Sequence, residues 1–291
     1  NLKDHGVHTP SMYQTIFHDT NSLADGKVLG LRRAAMQLRQ SLGMTNGPLW
    51  DTLNLTNGNV YGTPPNDVPL LQAKLPETMT MAAEHGYTGV ILAGTDEATG
   101  STLTNQIPLW QAAHDLGAQV FSAGSEPNHF AAVGHIQDIF VQRGNNGDPN
   151  EPDPVNPSHA ADWHGQGNKI YLYNRPQTPL ETPFLHRMNY GLLLWANGYD
   201  GAMPYAYMHM FGTPWNDVDS DTNFRNHAYV YPTADGVLDT MAWEAYREGG
   251  QDNQYMATLE HEIARLGGST TSTTKAFPSK QTPLGPAAWF V

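Results

Sequence analysis

The residues best placed for chemistry lie in Leu92-Ala-Gly-Thr-Asp-Glu-Ala-Thr-Gly100, where two carboxylates, Asp96 and Glu97, stand side by side. The apolar run Gly89 to Leu92 before them predicts a strand, and a helix is expected from about Leu103. Adjacent carboxylates at the C-terminal end of a barrel strand are placed to enter a shared cleft. Cleaving a glycosidic bond needs an acid that protonates the leaving oxygen. It also needs a second group that attacks or stabilises the oxocarbenium-like centre. Two like charges held together raise one pKa, which keeps a proton available near neutral pH. The plainer alternative makes Asp96 a loop or helix N-cap and leaves Glu97 solvated.

Aromatic residues crowd the stretch from 171 to 243: Tyr171, Tyr173, Trp195, Tyr205, Tyr207, Trp215, Tyr229, Tyr231 and Trp243. Sugar rings pack their C–H faces on aromatic rings, while their hydroxyls need polar partners at the rim. The expected substrate contacts are therefore Tyr173, Tyr205, Tyr207, Trp215, Asp217 and Tyr231. Glu126, in Gly124-Ser-Glu-Pro127, and Glu181 are further carboxylates that could act on a sugar. Core packing is the competing reading, and it is preferred for Trp195, which lies inside Leu192-Leu-Leu-Trp-Ala196. Trp215 sits in a polar loop and is expected to be exposed.

Neither a metal nor a cofactor is expected. Asp217-Val-Asp-Ser-Asp-Thr-Asn223 begins like a calcium loop, but Thr222 stands where that loop needs Gly. Ala228 stands where its bidentate Glu belongs. The sequence has 13 His. His5 and His8 are three apart on a presumed strand, which points their rings to opposite faces. His159 and His164 lie in a polar loop with no regular geometry. No Gly-x-Ser-x-Gly elbow and no Gly-rich phosphate fingerprint occurs.

Positioning such residues requires a framework, and the alternation of short apolar runs with helical patterns predicts a parallel-strand α/β fold. Candidate strands are 6–9, 49–55, 88–94, 118–123, 137–141, 169–173, 200–206 and 228–232. Helices are predicted over Leu23–Leu42, Val68–His85, Leu103–Leu116 and Pro183–Asn197, stopped by Gly43, Gly86, Gly117 and Gly198. Eight strands favour a closed (β/α)8 TIM-type barrel in a single domain over 1–266. Segment 143–168 reads as a long polar loop, and 236–266 as terminal helices without strand signal. Residues 267–291, opening with Gly-Gly-Ser-Thr-Thr, read as a linker or C-terminal tail.

Composition narrows the function classes. Hydrophobic residues make up 39%, with 7 Trp, 13 Tyr and 9 Phe, enough for a sizeable core. The formal net charge of −13, from 28 acidic and 15 basic residues, disfavours nucleic acid and anionic membranes and suits a neutral ligand such as a sugar. There is no Cys, so disulfides and thiolate chemistry are excluded. No apolar run reaches 18 residues, so no membrane span is expected. The chain opens inside what reads as a structured segment, as a chain trimmed at its start would.

Taken with these motifs, the chain resembles glycoside hydrolase family 123 and related uncharacterised glycoside-hydrolase-like (β/α)8 barrels. The resemblance rests on strand-Gly-x-Asp96-Glu97-Ala, on Trp215-Asn-Asp217, and on an ending with Tyr231-Pro232, Gly236, Trp243-Glu244, Arg247-Glu-Gly249, Asp252 and Tyr255. It covers roughly residues 88 to 260. It implies substrate-assisted hydrolysis, in which the 2-acetamido oxygen of the sugar attacks C1. Asp96 would then orient and stabilise that group, and Glu97 would serve as acid and then base. The family's pair follows its fourth strand, whereas here it follows the third predicted one. The three-residue spacing of Glu244 and Arg247 also lets them pair on a helix and lock it in place.

The resulting expectation is a glycosidase with Asp96 and Glu97 at its centre and a carbohydrate substrate, secreted or periplasmic in a bacterium. The rival readings are a carbohydrate-binding barrel without catalysis and a metal-dependent barrel hydrolase.

Overall fold

The computed structural model describes residues 1–12, 26–52, 68–125, 128–144, 155–178, 181–216 and 226–267. Its centre is a six-stranded sheet built from β1 (Leu49–Asp51), β2 (Val90–Ala93), β3 (Gln119–Gly124), β4 (Ile139–Arg143), β5 (Lys169–Tyr173) and β6 (Gly201–Ala202). The strands lie in chain order without reversal. That order is the winding of barrel-type βα repeats, whereas doubly wound folds reverse at a switch point. Strand β2, Val90-Ile-Leu-Ala93, reads as an unbroken apolar run, as strands of a parallel sheet covered on both faces do. Val90, Ile91 and Leu92 of β2 are all buried.

The described residues fall into two compact units. The first comprises His8–Gln142 and Trp163–Lys169. In it β1 pairs with β2, β2 with β3 and β3 with β4, all parallel. The helices are α1 (Gly26–Ser41), α2 (Val68–Glu84), α3 (Gly100–Thr104), α4 (Ile107–Asp115) and α5 (Asn128–Val133). Helix α2 buries Leu71, Leu75, Thr78 and Met81 on one face, at the spacing of an amphipathic helix. Leu71, Leu75 and Met81 share a core with Leu49, Val90, Trp110 and Val120. Below it, Arg32 of α1 forms a two-pronged pair with Asp51 of β1, with Nη2 to Oδ2 at 2.5 Å. Both side chains are almost wholly removed from solvent, at 1% and 0% exposure.

The second unit comprises Asn1–Val7, Arg143–Asp162 and the chain from Ile170 onward. Here β5 pairs with β6 in parallel. Helix α6 (Pro157–Gly165) precedes β5, and α7 (Pro183–Tyr190) and α8 (Leu192–Asn197) follow it. Two antiparallel ribbons come next, β7 (Met208–His209) with β8 (His227–Ala228) and β9 (Val230–Pro232) with β10 (Val237–Asp239). The long helix α9 (Met241–Arg265) closes the described chain, capped by Thr240 Oγ1, which accepts from the Trp243 N–H.

Several expectations change. Residues 6–9 form no strand: Lys3–His5 make a 3₁₀ turn that ends at Gly6, and the chain first pairs at Met12, opposite Asp51. The eighth candidate strand, 228–232, joins antiparallel ribbons and not the parallel sheet. The predicted helix Leu103–Leu116 is two helices, because Pro108 opens a new first turn after Gln106. The predicted helix Pro183–Asn197 breaks at Gly191. Part of the supposed loop 143–168 is α6, whose start carries an Asn156 side chain accepting from the Ser158 N–H, followed by Pro157. Residues 237–239 form a strand that is too short to show periodicity, and 145–154 and 268–291 lie outside the described residues.

Gly191 shows why one break is fixed. A Cβ there would lie 2.4 Å from the Arg187 carbonyl oxygen and 2.9 Å from the Gly249 Cα of α9. Both obstacles are backbone, so neither can swing aside. Gly191→Ala is expected to destabilise the protein by about 1–3 kcal/mol, the range for overpacking, read from its urea midpoint. A midpoint equal to wild type would show that α7 and α9 can separate.

Candidate active site

The site is built where the chain leaves β2. A Cβ on Gly94 would lie 2.7 Å from the Trp110 ring and 3.1 Å from the Ser122 Cβ, so only glycine passes between α4 and β3. Three bonds then pin the departing backbone. The Gly94 N–H donates to the Phe121 carbonyl at 2.6 Å. The Thr95 N–H donates to Gln106 Oε1, also at 2.6 Å, and Gln106 is itself held by the Thr102 carbonyl. The Glu97 N–H donates to the Ala123 carbonyl at 3.1 Å. Asp96 stands between the second and third pins, in a turn fixed on both sides.

That fixing is needed because Glu97 has a φ of 47°. A side-chain-bearing residue in the left-handed region costs on the order of 1 kcal/mol, and such strain gathers at functional sites. Helix α3 begins after Thr99, so Asp96 is not its N-cap. Asp96 and Glu97 are both exposed at the strand tip. Protein atoms nevertheless crowd the Asp96 carboxyl. Lost hydration, reinforced by the Glu97 charge, raises its pKa to about 6, while an N–H from the Glu97 backbone acts the other way. The pair can thus hold one proton up to mildly acidic pH, which is what a carboxylic acid donor requires. It follows the second strand of the described sheet, where the sequence placed it after the third.

A polar network that the sequence did not signal lies under β3. His129 Nε2 meets Gln137 Oε1 at 2.8 Å and Ser122 Oγ at 3.2 Å. Gln137 Nε2 donates to the Ser122 and Ile139 carbonyls. This resembles a serine–histidine pair, but all three side chains are buried and an amide stands where a carboxylate would orient the ring. Burial lowers the His129 pKa to about 4, and the ring stacks on Phe140 at 4.5 Å. The network is satisfied core, not a nucleophile.

The expected sugar-facing residues that are described belong to the second unit. Tyr173, half-buried, ends β5. Tyr205 lies just past β6, and its hydroxyl bonds to His209 Nδ1 while its carbonyl accepts from Gln177 Nε2 and Thr178 Oγ1. His209, Phe211 and His227 complete an aromatic box around it, with ring centroids 4.5 to 6.4 Å apart. Sequence spacing does not signal this box, because His209 and His227 meet only through the pairing of β7 with β8. Trp215 is 59% exposed and stacks on Tyr231 at 5.5 Å, an open platform as its polar surroundings predict.

Tyr207 stands apart from that box. Its hydroxyl donates to Asn1 Oδ1, its ring meets Trp243 edge-on, and burial followed by the Asp239 charge pushes its pKa up to about 12. Glu181 is exposed, whereas Glu126 and Asp217 lie outside the described residues. Tyr171, Trp195, Tyr229 and Trp243 are core, as expected for Trp195.

No family model matches the chain, and no curated protein matches it. Among solved structures, it is similar to a family 123 glycoside hydrolase from Clostridium perfringens, described for glycolipid glycan hydrolysis. The TM-score is 0.54 at 14% sequence identity, over 74% of this chain and 39% of that one. At that identity the likeness concerns the fold: an α/β arrangement around a parallel sheet with a long C-terminal helix, of a glycoside-hydrolase-like kind.

Proposed function

We propose that the chain is a glycosidase that hydrolyses a glycan with the β2-tip carboxylates, on a framework that continues the parallel sheet toward a full eight-stranded barrel. The observation that carries this reading is the raised pKa of Asp96 beside Glu97 on a strained, pinned turn at a strand's C-terminal end. The likeness in fold to a glycoside hydrolase supports the same reaction class.

In the proposed reaction, the productive form is the singly protonated pair. In the unliganded site the proton rests on Asp96. The two carboxyls share that proton by exchange, and the form that carries it on Glu97 gives it to the leaving-group oxygen while ionised Asp96 stabilises the developing positive charge or orients a 2-acetamido group. Glu97 then takes a proton from the water that completes hydrolysis. The Trp215–Tyr231 platform and the Tyr205 box offer faces for sugar rings.

The test is a glycan panel that includes 2-acetamido sugars, scored for reducing-end release by the purified chain. Release from at least one member is the expected result. A member that binds saturably and is never cleaved would favour the binding-only reading instead.

A further inference from the structure

Away from the β2 tip, three side chains distant in sequence converge where the 3₁₀ turn meets the start of α9. His5, Asp239 and Glu244 each bring one ligand atom within 4.8 Å of the others. His5 Nε2 lies 3.3 Å from Glu244 Oε1 and 3.8 Å from Asp239 Oδ2. Two ligands bound tetrahedrally to one zinc ion at about 2.1 Å stand about 3.4 Å apart. The spacing therefore matches two corners of a coordination shell.

The outer atoms of the three residues are already held. His5 Nδ1 faces the Asn1 carbonyl at 3.0 Å, and a carbonyl only accepts, so Nδ1 carries the hydrogen. In the neutral ring this leaves the lone pair on Nε2, the arrangement that orients a metal-binding histidine. Asp239 Oδ1 accepts from Asn1 Nδ2 at 2.7 Å, and Glu244 Oε2 accepts from Arg247 Nε at 2.8 Å. Each carboxylate is thus steered by one oxygen and offers the other.

A second observation points inward independently. The His5 side chain is only 5% exposed, stacks flat on Trp243 at 4.4 Å, and its Nε2 is buried without a hydrogen bond. In the neutral ring, a buried nitrogen lone pair whose nearest neighbours are the Glu244 and Asp239 carboxylate oxygens, which only accept, is a lost interaction that an ion between them would recover. Asp239 and Glu244 keep 30% and 46% of their side-chain surface in solvent, so an ion has an entry path and room for water as a further ligand.

We propose that His5, Asp239 and Glu244 form a binding site for a divalent transition-metal ion of the zinc type, which fastens the first residues of the chain to the start of α9. One nitrogen and two carboxylate oxygens suit zinc, whereas calcium seeks six to eight oxygens and magnesium a full octahedron. The sequence points away from this site, because His5 and Glu244 are far apart along the chain and the only nearby histidine, His8, does not share it.

The test is isothermal titration of the metal-stripped full chain with Zn²⁺, followed by thermal melting with and without the ion. Saturable binding of one ion per chain is expected, with a melting temperature several degrees higher that chelator reverses. Calcium and magnesium are expected to give neither effect. His5→Phe keeps the stack on Trp243 and removes the nitrogen, and Glu244→Gln keeps the shape and removes the charge. Each is expected to weaken zinc binding at least tenfold while far-UV circular dichroism stays unchanged. No saturable zinc binding, or equal affinity in wild type and both variants, would overturn the proposal by placing the ion on other histidines.

Discussion

Glu97→Gln is expected to lower turnover on the cleaved glycan by a factor on the order of 10² or more, the usual weight of a positioned general acid and base. The amide fills the same volume and can neither give nor take the proton. Because the Glu97 side chain is exposed, the change is expected to leave stability within about 0.5 kcal/mol of wild type, so lost activity will not reflect lost fold. The Ala123 bond to its backbone N–H also survives, keeping the turn in place. Single-turnover rates on the best substrate of the panel, beside a urea melt, separate the two effects. Near-normal turnover in this variant would remove Glu97 from the proton-transfer role.

The second large effect concerns the frame. Asp51→Ala is expected to destabilise the protein by about 3–5 kcal/mol, because it leaves the Arg32 guanidinium buried and uncompensated under β1. The contrast is Arg33, the next residue of α1, with Glu84 at the end of α2, an exposed pair at 2.8 Å, where Glu84→Ala is expected to cost less than about 1 kcal/mol. The double change Arg32→Met with Asp51→Leu is expected to recover most of the loss, since it removes both buried charges together. Urea unfolding of the three variants measures all of this. An Asp51→Ala midpoint close to that of Glu84→Ala would mean that water reaches the Arg32 site.

How much could be read beforehand follows from the range of each signal. Helix stops are local, and Gly43, Gly86, Gly117 and Gly198 all adopt the left-handed conformation that their positions predict. Buried parallel strands are local too, and five of the predicted runs overlap β1 to β5, with β3 and β4 running one and two residues past the predicted ends. The Glu244–Arg247 pair forms at 2.8 Å because three-residue spacing on a helix brings the two together. Trp195 and Trp215 were separable by their neighbours alone.

What escaped depends on partners far along the chain or on elements too short for a period. The three residues of β10 exist through pairing with β9. His129 looks like any loop histidine until Gln137 and Ser122 close around it. His5 needs a strand end and a helix start more than 230 residues away. At the candidate site, the sequence supplied the adjacency of Asp96 and Glu97 but not the φ of Glu97 or the crowding of the Asp96 carboxyl. The turn itself is held by β3 and by Gln106 just before α4, which only the folded chain brings together.

The most direct measurement is the pH dependence of kcat/KM for wild type and Asp96→Asn, since this ratio reports ionisations of the free enzyme. The pair's last proton is held below about pH 6 and lost above it, so the donor form disappears as pH rises through that value. Wild-type kcat/KM is therefore expected to fall with a midpoint near 6. In Asp96→Asn the residual activity is expected to fall at lower pH, because the crowded carboxyl that held the proton is gone. A midpoint that Asp96→Asn leaves unmoved, or wild-type activity that stays level from pH 5 to 8, would contradict proton transfer at the tip of β2.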